Sequence, residues 1–331
     1  MTAIQIAARA LLALLLAYGV MAARPESALA LEASDFDIEM GFPYAAFDKI
    51  EDATVISVGS SQLTIGLVPG AEFKVSHDDL IAWVRQSAED VAAYYGKFPV
   101  PSARILLAGV DGEAVQSGTT WGYRGAAARI MVGREVAAAT LMREDWVMVH
   151  EMIHMALPDL GERHTWLSEG LAVYVESMAR VQRGHLPAER IWQDFVRAMP
   201  KGLPQAGDQG LDNTHRWGRT YWGGAMFCLL ADVEIRKKTS NRVGLQTALR
   251  AINARTNHTE DGRIGNVLAL GDGATGVTVL ADLYKQMKDD AVSPDLDVLW
   301  RELGVPAGRT SVAFDDSAPL AEIRQAITQP F

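Results

Sequence analysis

The sequence holds a single cysteine, Cys228, among its 331 residues. No internal disulfide can form, so stability must come from core burial. Inside the apolar run AMFCLLADV that thiol reads as a small buried hydrophobe rather than a nucleophile. Basic charge is also scarce: 31 Lys and Arg stand against 41 Asp and Glu, a formal net charge of −10. No Lys/Arg cluster interrupts that balance, which argues against nucleic acid and anionic membrane surfaces as partners. Internal repeats and low-complexity tracts are missing too. The apolar run between Arg9 and Arg24, ALLALLLAYGVMAA, has fourteen residues, too few for a comfortable membrane span.

What that run does match is the h-region of a signal peptide. Ala28 and Ala30 in SALA offer a small-x-small cleavage site before Leu31, with cleavage after Ala23 as the alternative. The expectation is a leader over residues 1–30 and an exported product, periplasmic or secreted. An uncleaved anchor is the less favoured reading, left open by an n-region whose only basic residue is Arg9; after cleavage no stable membrane insertion is expected. The remainder is globular in composition, with 49% hydrophobic and 22% charged residues.

Residues 31–76 alternate short apolar runs with Gly and Pro and read as a β-rich segment. Residues 78–96 have helical spacing, with Leu80, Val84, Ala88, Val91 and Tyr95 on one face and Gly96 closing the segment. ARILLAGV (103–110) and ARIMVG (128–133) read as strands, joined by the Gly-rich stretch GTTWGYRG. Helices are expected near 141–156, 166–182, 187–198, 220–238, 243–253, 276–290 and 295–303. The order predicts an α+β fold, a small mixed sheet followed by a mainly helical C-terminal body. Its expected parts are a core over 77–205 and a helical part over 206–331.

Residues 150–154 read HEMIH. On a helix, residues four apart share a face, so His150 and His154 can address one metal ion. Glu151, one step round, can reach a water on that metal without being a ligand. Met142, Trp146, Val149 and Ile153 form an apolar stripe expected to seat this helix on the core. A catalytic zinc needs a third protein ligand and an open position. Leu157 and Leu160 stand where the metzincin pattern needs glycine and histidine, so that class is excluded. His164, Asp159 and Glu162 are near in sequence but lie in a Pro/Gly-containing connection. Glu169 is better placed, in the first turn of the helix opened by HTWLSEGLAVYVE, with Thr165 as an expected N-cap. Glu176, seven residues on, is either a carboxylate partner of a ligating histidine or a solvated glutamate.

HEMIH followed by WLSEGLAVYVE resembles the gluzincin metallopeptidases, especially the aminopeptidase N and glycyl aminopeptidase groups. The resemblance covers roughly residues 100–325 and implies a thermolysin-like peptidase core. It further implies that His150, His154 and Glu169 hold one zinc ion per chain, with Glu151 as catalytic base. Fourteen residues separate His154 from Glu169, fewer than aminopeptidase N usually has. RTYWGGAMFCLLADVEIRKKTSN (219–241) is similar to the family segment whose tyrosine donates to the oxyanion, which implies that role for Tyr221. His215, Arg216 and Arg219 are competing donors. The family's amino-group-binding glutamate has no counterpart in SGTTWGYRGAAARIMVG (117–133), which contains no acidic residue. Gly118, Thr119 and Thr120 remain candidates for pairing with an extended peptide by strand addition, and His215 is a further substrate-side candidate.

The expectation is therefore an exported zinc metallopeptidase acting on a peptide or protein, with exo- or endopeptidase mode left open. The rival expectation is a non-catalytic exported domain that keeps a peptidase-like fold to bind a peptide or protein.

Overall fold

The computed structural model describes residues 43–306 and 313–330, apart from 49, 51 and 69. The expected leader over 1–30 lies outside the described residues. Residues 47–331 form one compact unit, to which the elements below belong; helix α1 (Pro43–Asp48) straddles its start. No helix among the described residues is long and apolar enough to cross a membrane.

Five strands build one mixed sheet: β1 (Thr54–Val58), β2 (Ser61–Leu67), β3 (Ser102–Val110), β4 (Val115–Trp121) and β5 (Ala126–Gly133). Their spatial order is β1-β2-β3-β5-β4. The outer pairs β1·β2 and β4·β5 are antiparallel, and the inner pairs β2·β3 and β3·β5 are parallel. The Gly-rich stretch read as a connection is thus itself partly a strand, β4, at the sheet edge.

Strand parity decides which residues meet the helices. Leu63 pairs with Ala103, Ile65 with Ile105, Ile105 with Ala128 and Leu107 with Ile130, and all of these lie in the main core. On β4, Gly118 pairs with Ile130 and Thr120 with Ala128. The register therefore turns Gly118 and Thr120 toward the helices, while Thr119 and Trp121 face the other way.

Helix α2 (His77–Tyr95) crosses from β2 to β3 and buries Leu80, Val84, Ala88, Val91 and Tyr95, the face expected from spacing. It opens with a capping box between Ser76 and Asp79, and closes on Gly96 in the left-handed region, φ 81°. The helical body then follows as α3 (Ala138–Arg143), α4 (Val147–His154), α5 (Thr165–Gln182), α6 (Ala188–Ala198) and α7 (Gly224–Lys238). It continues as α8 (Leu245–Asn253), α9 (Ile264–Thr275), α10 (Val279–Met287), α11 (Leu296–Leu303) and α12 (Ala321–Thr328).

The helix expected over 141–156 is two helices. Asp145 accepts bonds from the Val147 and Met148 amides at 3.0 and 3.2 Å, and from Trp83 Nε1 at 3.0 Å. Satisfying the first free amides of α4 in this way starts a new helix and ends the old one. The stripe through Met142, Trp146, Val149 and Ile153 is broken with it: Val149 and Ile153 are buried, whereas Trp146 is 48% exposed. Thr165 does not cap α5 either. A single 3-10 turn, Glu162–His164, runs straight into the helix, and the Thr165 hydroxyl donates to the Glu162 carbonyl. Helices α9 and α12 and strand β4 were not expected from the sequence, and α1 falls within the segment read as β-rich; α9 carries three glycines that dilute its helical signal.

Candidate active site

The HEMIH segment occupies α4, with His150 4% and Glu151 7% exposed. Helix α5 runs beside it and brings Glu169 across. Glu169 Oε2 lies 3.2 Å from His150 Nε2 and 3.5 Å from His154 Nε2. A tetrahedral ion with ligands at about 2.0–2.1 Å needs ligand atoms about 3.3 Å apart. The two distances from Glu169 thus already match the edge length of such a polyhedron. The ligand-type atoms of His150, Glu151 and His154 also lie within 4.8 Å of one another.

Electrostatics point the same way. Two largely buried carboxylates, Glu151 and Glu169, meet here, and among the described residues neither forms an ion pair with a Lys or Arg. Such burial is costly without a compensating cation. Burial opposes charge on His154, but the carboxylates of Glu169 and Glu151 override it and push its pKa up to about 9. Burial likewise raises the Glu169 carboxyl, yet the two histidines hold it well below the usual carboxylate range. These features fit a bound divalent cation, and the mixed imidazole and carboxylate donor set suits zinc.

Ser168 Oγ lies 2.9 Å from His154 Nδ1. With Nδ1–H as donor, His154 presents the Nε2 lone pair to the metal position. Ser168 sits directly before Glu169, and its role depends on the turn of α5 rather than on any spacing rule. His150 Nδ1 is buried without a hydrogen-bond partner among the described residues. Glu176 is close enough for the charge of His150 to act on it, but its hydrogen bonds go to Ser177 Oγ at 2.8 Å and Arg180 Nη1 at 3.2 Å. Burial raises its carboxyl pKa despite Arg180.

Thr120 reaches Glu151 from the sheet edge. Its hydroxyl lies 2.7 Å from Glu151 Oε2 and 2.9 Å from the Glu151 carbonyl. Gly118, two residues earlier on the same face, has no room for a side chain: an added Cβ would lie 2.3 Å from Glu151 Cγ. The edge strand and Glu151 therefore form one surface. The Thr119 hydroxyl donates to the adjacent Gly118 carbonyl, on the other face.

Tyr221 arrives through a glycine contact between helices. A Cβ on Gly170 would lie 2.2 Å from Gly224 Cα, so α5 and α7 touch backbone to backbone beside Glu169. The π-helical turn Arg219–Gly223 that precedes α7 is thereby laid over the site. The Tyr221 ring stacks on His150 at 6.4 Å between centroids. Burial first, then the charges of Glu169 and Glu151, push its phenol far above the usual range, so it stays a donor.

The other candidates are engaged elsewhere. Arg219 is buried against Asp208 at 3.0 Å and donates to the Gly202 carbonyl. Arg216 bonds Gln205 and Ala206. His215 is exposed in the loop before the π-helical turn. His164 bonds the Leu160 carbonyl and Tyr284, and Asp159 bonds the Gly161 amide. Nearby, buried Asp212 accepts from Trp166 Nε1 at 2.9 Å and Tyr284 Oη at 2.7 Å, tying the start of α5 to α10. His258, which the sequence did not single out, lies at the far end of the site. Its backbone amide donates to the Met155 carbonyl, and its carbonyl closes on Gly122.

No protein-family model matches the chain, and no curated protein matches it in sequence. Solved structures do. An aminopeptidase N family protein from Idiomarina loihiensis superposes with a TM-score of 0.55 at 14% identity, over 81% of this chain and 53% of that one. An M1 zinc metallopeptidase from Deinococcus radiodurans gives a TM-score of 0.48 at 14% identity, over 74% of this chain and 53% of its own. The chain spans about half the length of the structures it matches. At the level of fold, it resembles the peptidase structures of the aminopeptidase N type.

Proposed function

We propose that the chain is an exported zinc-dependent peptidase of gluzincin type. The observation that carries this reading is the convergence of His150 Nε2, His154 Nε2 and Glu169 Oε2 at 3.2 and 3.5 Å, with Glu151 beside them. His150, His154 and Glu169 would hold one zinc ion, leaving a position open for water. Bound there, zinc supplies a Lewis acid that lowers the pKa of a bound water from about 15.7 toward about 7. Glu151, oriented by Thr120, accepts the proton of the attacking water as the new carbon–oxygen bond forms. It then passes that proton to the departing nitrogen as the carbon–nitrogen bond breaks, giving a carboxylate and an amine. Tyr221 donates to the oxygen that gains charge. The outer edge of β4, which pairs with no further strand among the described residues, has Gly118 and Thr120 facing the site and aligns an extended peptide by backbone pairing.

The test uses purified protein, with zinc stoichiometry and a peptide-library digest run with and without a chelator. Stoichiometric zinc with chelator-sensitive cleavage is expected. Zinc bound without any cleavage would favour a peptide-binding role for the same fold. Glu151→Gln should keep its zinc and lose about 10²–10⁴ in hydrolysis rate; parental turnover in that variant would sink the mechanism.

A further inference from the structure

Of the eight tryptophans, only Trp146 and Trp217 are exposed, at 48% and 61%. Both are joined to the candidate site by ring contacts. Trp146 meets His150 edge-on at 5.4 Å, His150 stacks with Tyr221, and Trp217 stacks on Tyr221 at 5.8 Å. Two indoles outside the core thus flank the His150–Tyr221 pair, Trp146 against His150 and Trp217 against Tyr221.

Chain direction says which part of a peptide meets it. Gly118 and Thr120 lie against Glu151, while Gly122 lies against His258, whose amide reaches Met155 just beyond His154. Strand β4 and helix α4 therefore advance in the same direction. A peptide added antiparallel to β4, the better-bonded arrangement, enters with its N-terminal part near Gly122 and His258. Its C-terminal part runs back toward Trp146, at the start of α4.

We infer that Trp146 and Trp217 form a specificity subsite for an aromatic side chain on the residue following the scissile bond. This rests on the peptidase reading above. Two half-exposed indoles offer a planar ligand offset or edge-on contact on surface that is otherwise wet. Lys201, whose Nζ lies 5.7 Å from the Trp217 ring centroid, disfavours a cationic side chain there by like charge.

The experiment separates the subsite from the chemistry. Zinc-loaded full-length protein carrying Glu151→Gln is titrated calorimetrically with two blocked peptides, acetyl-Gly-Gly-Phe-Gly-amide and acetyl-Gly-Gly-Ala-Gly-amide. The phenylalanine peptide should bind about tenfold tighter. Adding Trp146→Ala or Trp217→Ala should shrink that ratio to threefold or less, and Trp→Phe at either position should restore most of it. Equal affinities, binding of neither peptide, or a ratio untouched by both alanine variants would overturn the subsite. In parallel, the parent protein digests a peptide library. Cuts enriched before aromatic residues support the assignment, and cuts with no such enrichment refute it. Absence of all cleavage defeats the peptidase reading, while the affinity ratio still decides the subsite.

Discussion

Thr120 holds two oxygens of Glu151, one in the side chain and one in the main chain. A valine there keeps the shape and loses the donor. Thr120→Val should lower kcat by about tenfold with KM nearly unchanged, since one hydrogen bond to a charged group is worth about 1.5 kcal/mol. Thr120→Ser should retain activity; a valine variant with parental kcat would remove Thr120 from the chemistry. Tyr221→Phe should cost about 10²–10³ in kcat with zinc content unchanged, as expected for a lost oxyanion donor. Single-turnover rates and metal analysis on the same samples check both parts. The sequence makes His150, Glu151 and His154 legible because a helix alone fixes their spacing, and Glu169 because it opens the next helix. It does not disclose Ser168 or the Thr120 contact. These depend on how α5 is rotated against α4 and on the parity of a strand that reads as a Gly-rich connection.

Elements meet where side chains are absent. Gly224 sits so close to α5 that an added Cβ would lie 2.0 Å from the Trp166 carbonyl. Gly224→Ala should destabilise the protein by about 2–3 kcal/mol, as overpacking does, and displace Tyr221 with it. Chemical denaturation should show the lower midpoint, and kcat should fall further than the folded fraction explains. Asp145→Ala should cost about 1–2 kcal/mol through the lost amide bonds at the start of α4. The break at Asp145 rests on a local cap of the Val147 and Met148 amides, which periodicity alone overlooks, and on Trp83, 62 positions away. Local periodicity sees only neighbours, so it joined two helices that a distant indole helps to separate. The same blindness hid α9, whose glycines weaken the local signal. It spared α2, whose capping box and closing glycine are all local.

For the molecule as a whole, any ion that binds the folded site and not the unfolded chain adds stability by mass action. Free zinc at a thousandfold its Kd should contribute about 4 kcal/mol. Thermal scans should show a midpoint that rises with zinc, and Glu169→Ala should largely abolish the rise. A midpoint indifferent to zinc would argue against a shared site on α4 and α5.

That site also has a short span along the chain. His150, His154 and Glu169 fall within twenty consecutive residues, whereas β4 and Tyr221 come from well before and well after them. Closing a loop of that size costs little chain entropy compared with assembling the sheet around it. An ion captured early would fasten the α4–α5 hairpin before its long-range partners arrive. Refolding should therefore run faster in zinc than in chelator, and the gain should vanish in His154→Ala. In kinetic terms, an ion-bound cluster would act as a local nucleus around which the rest of the fold closes.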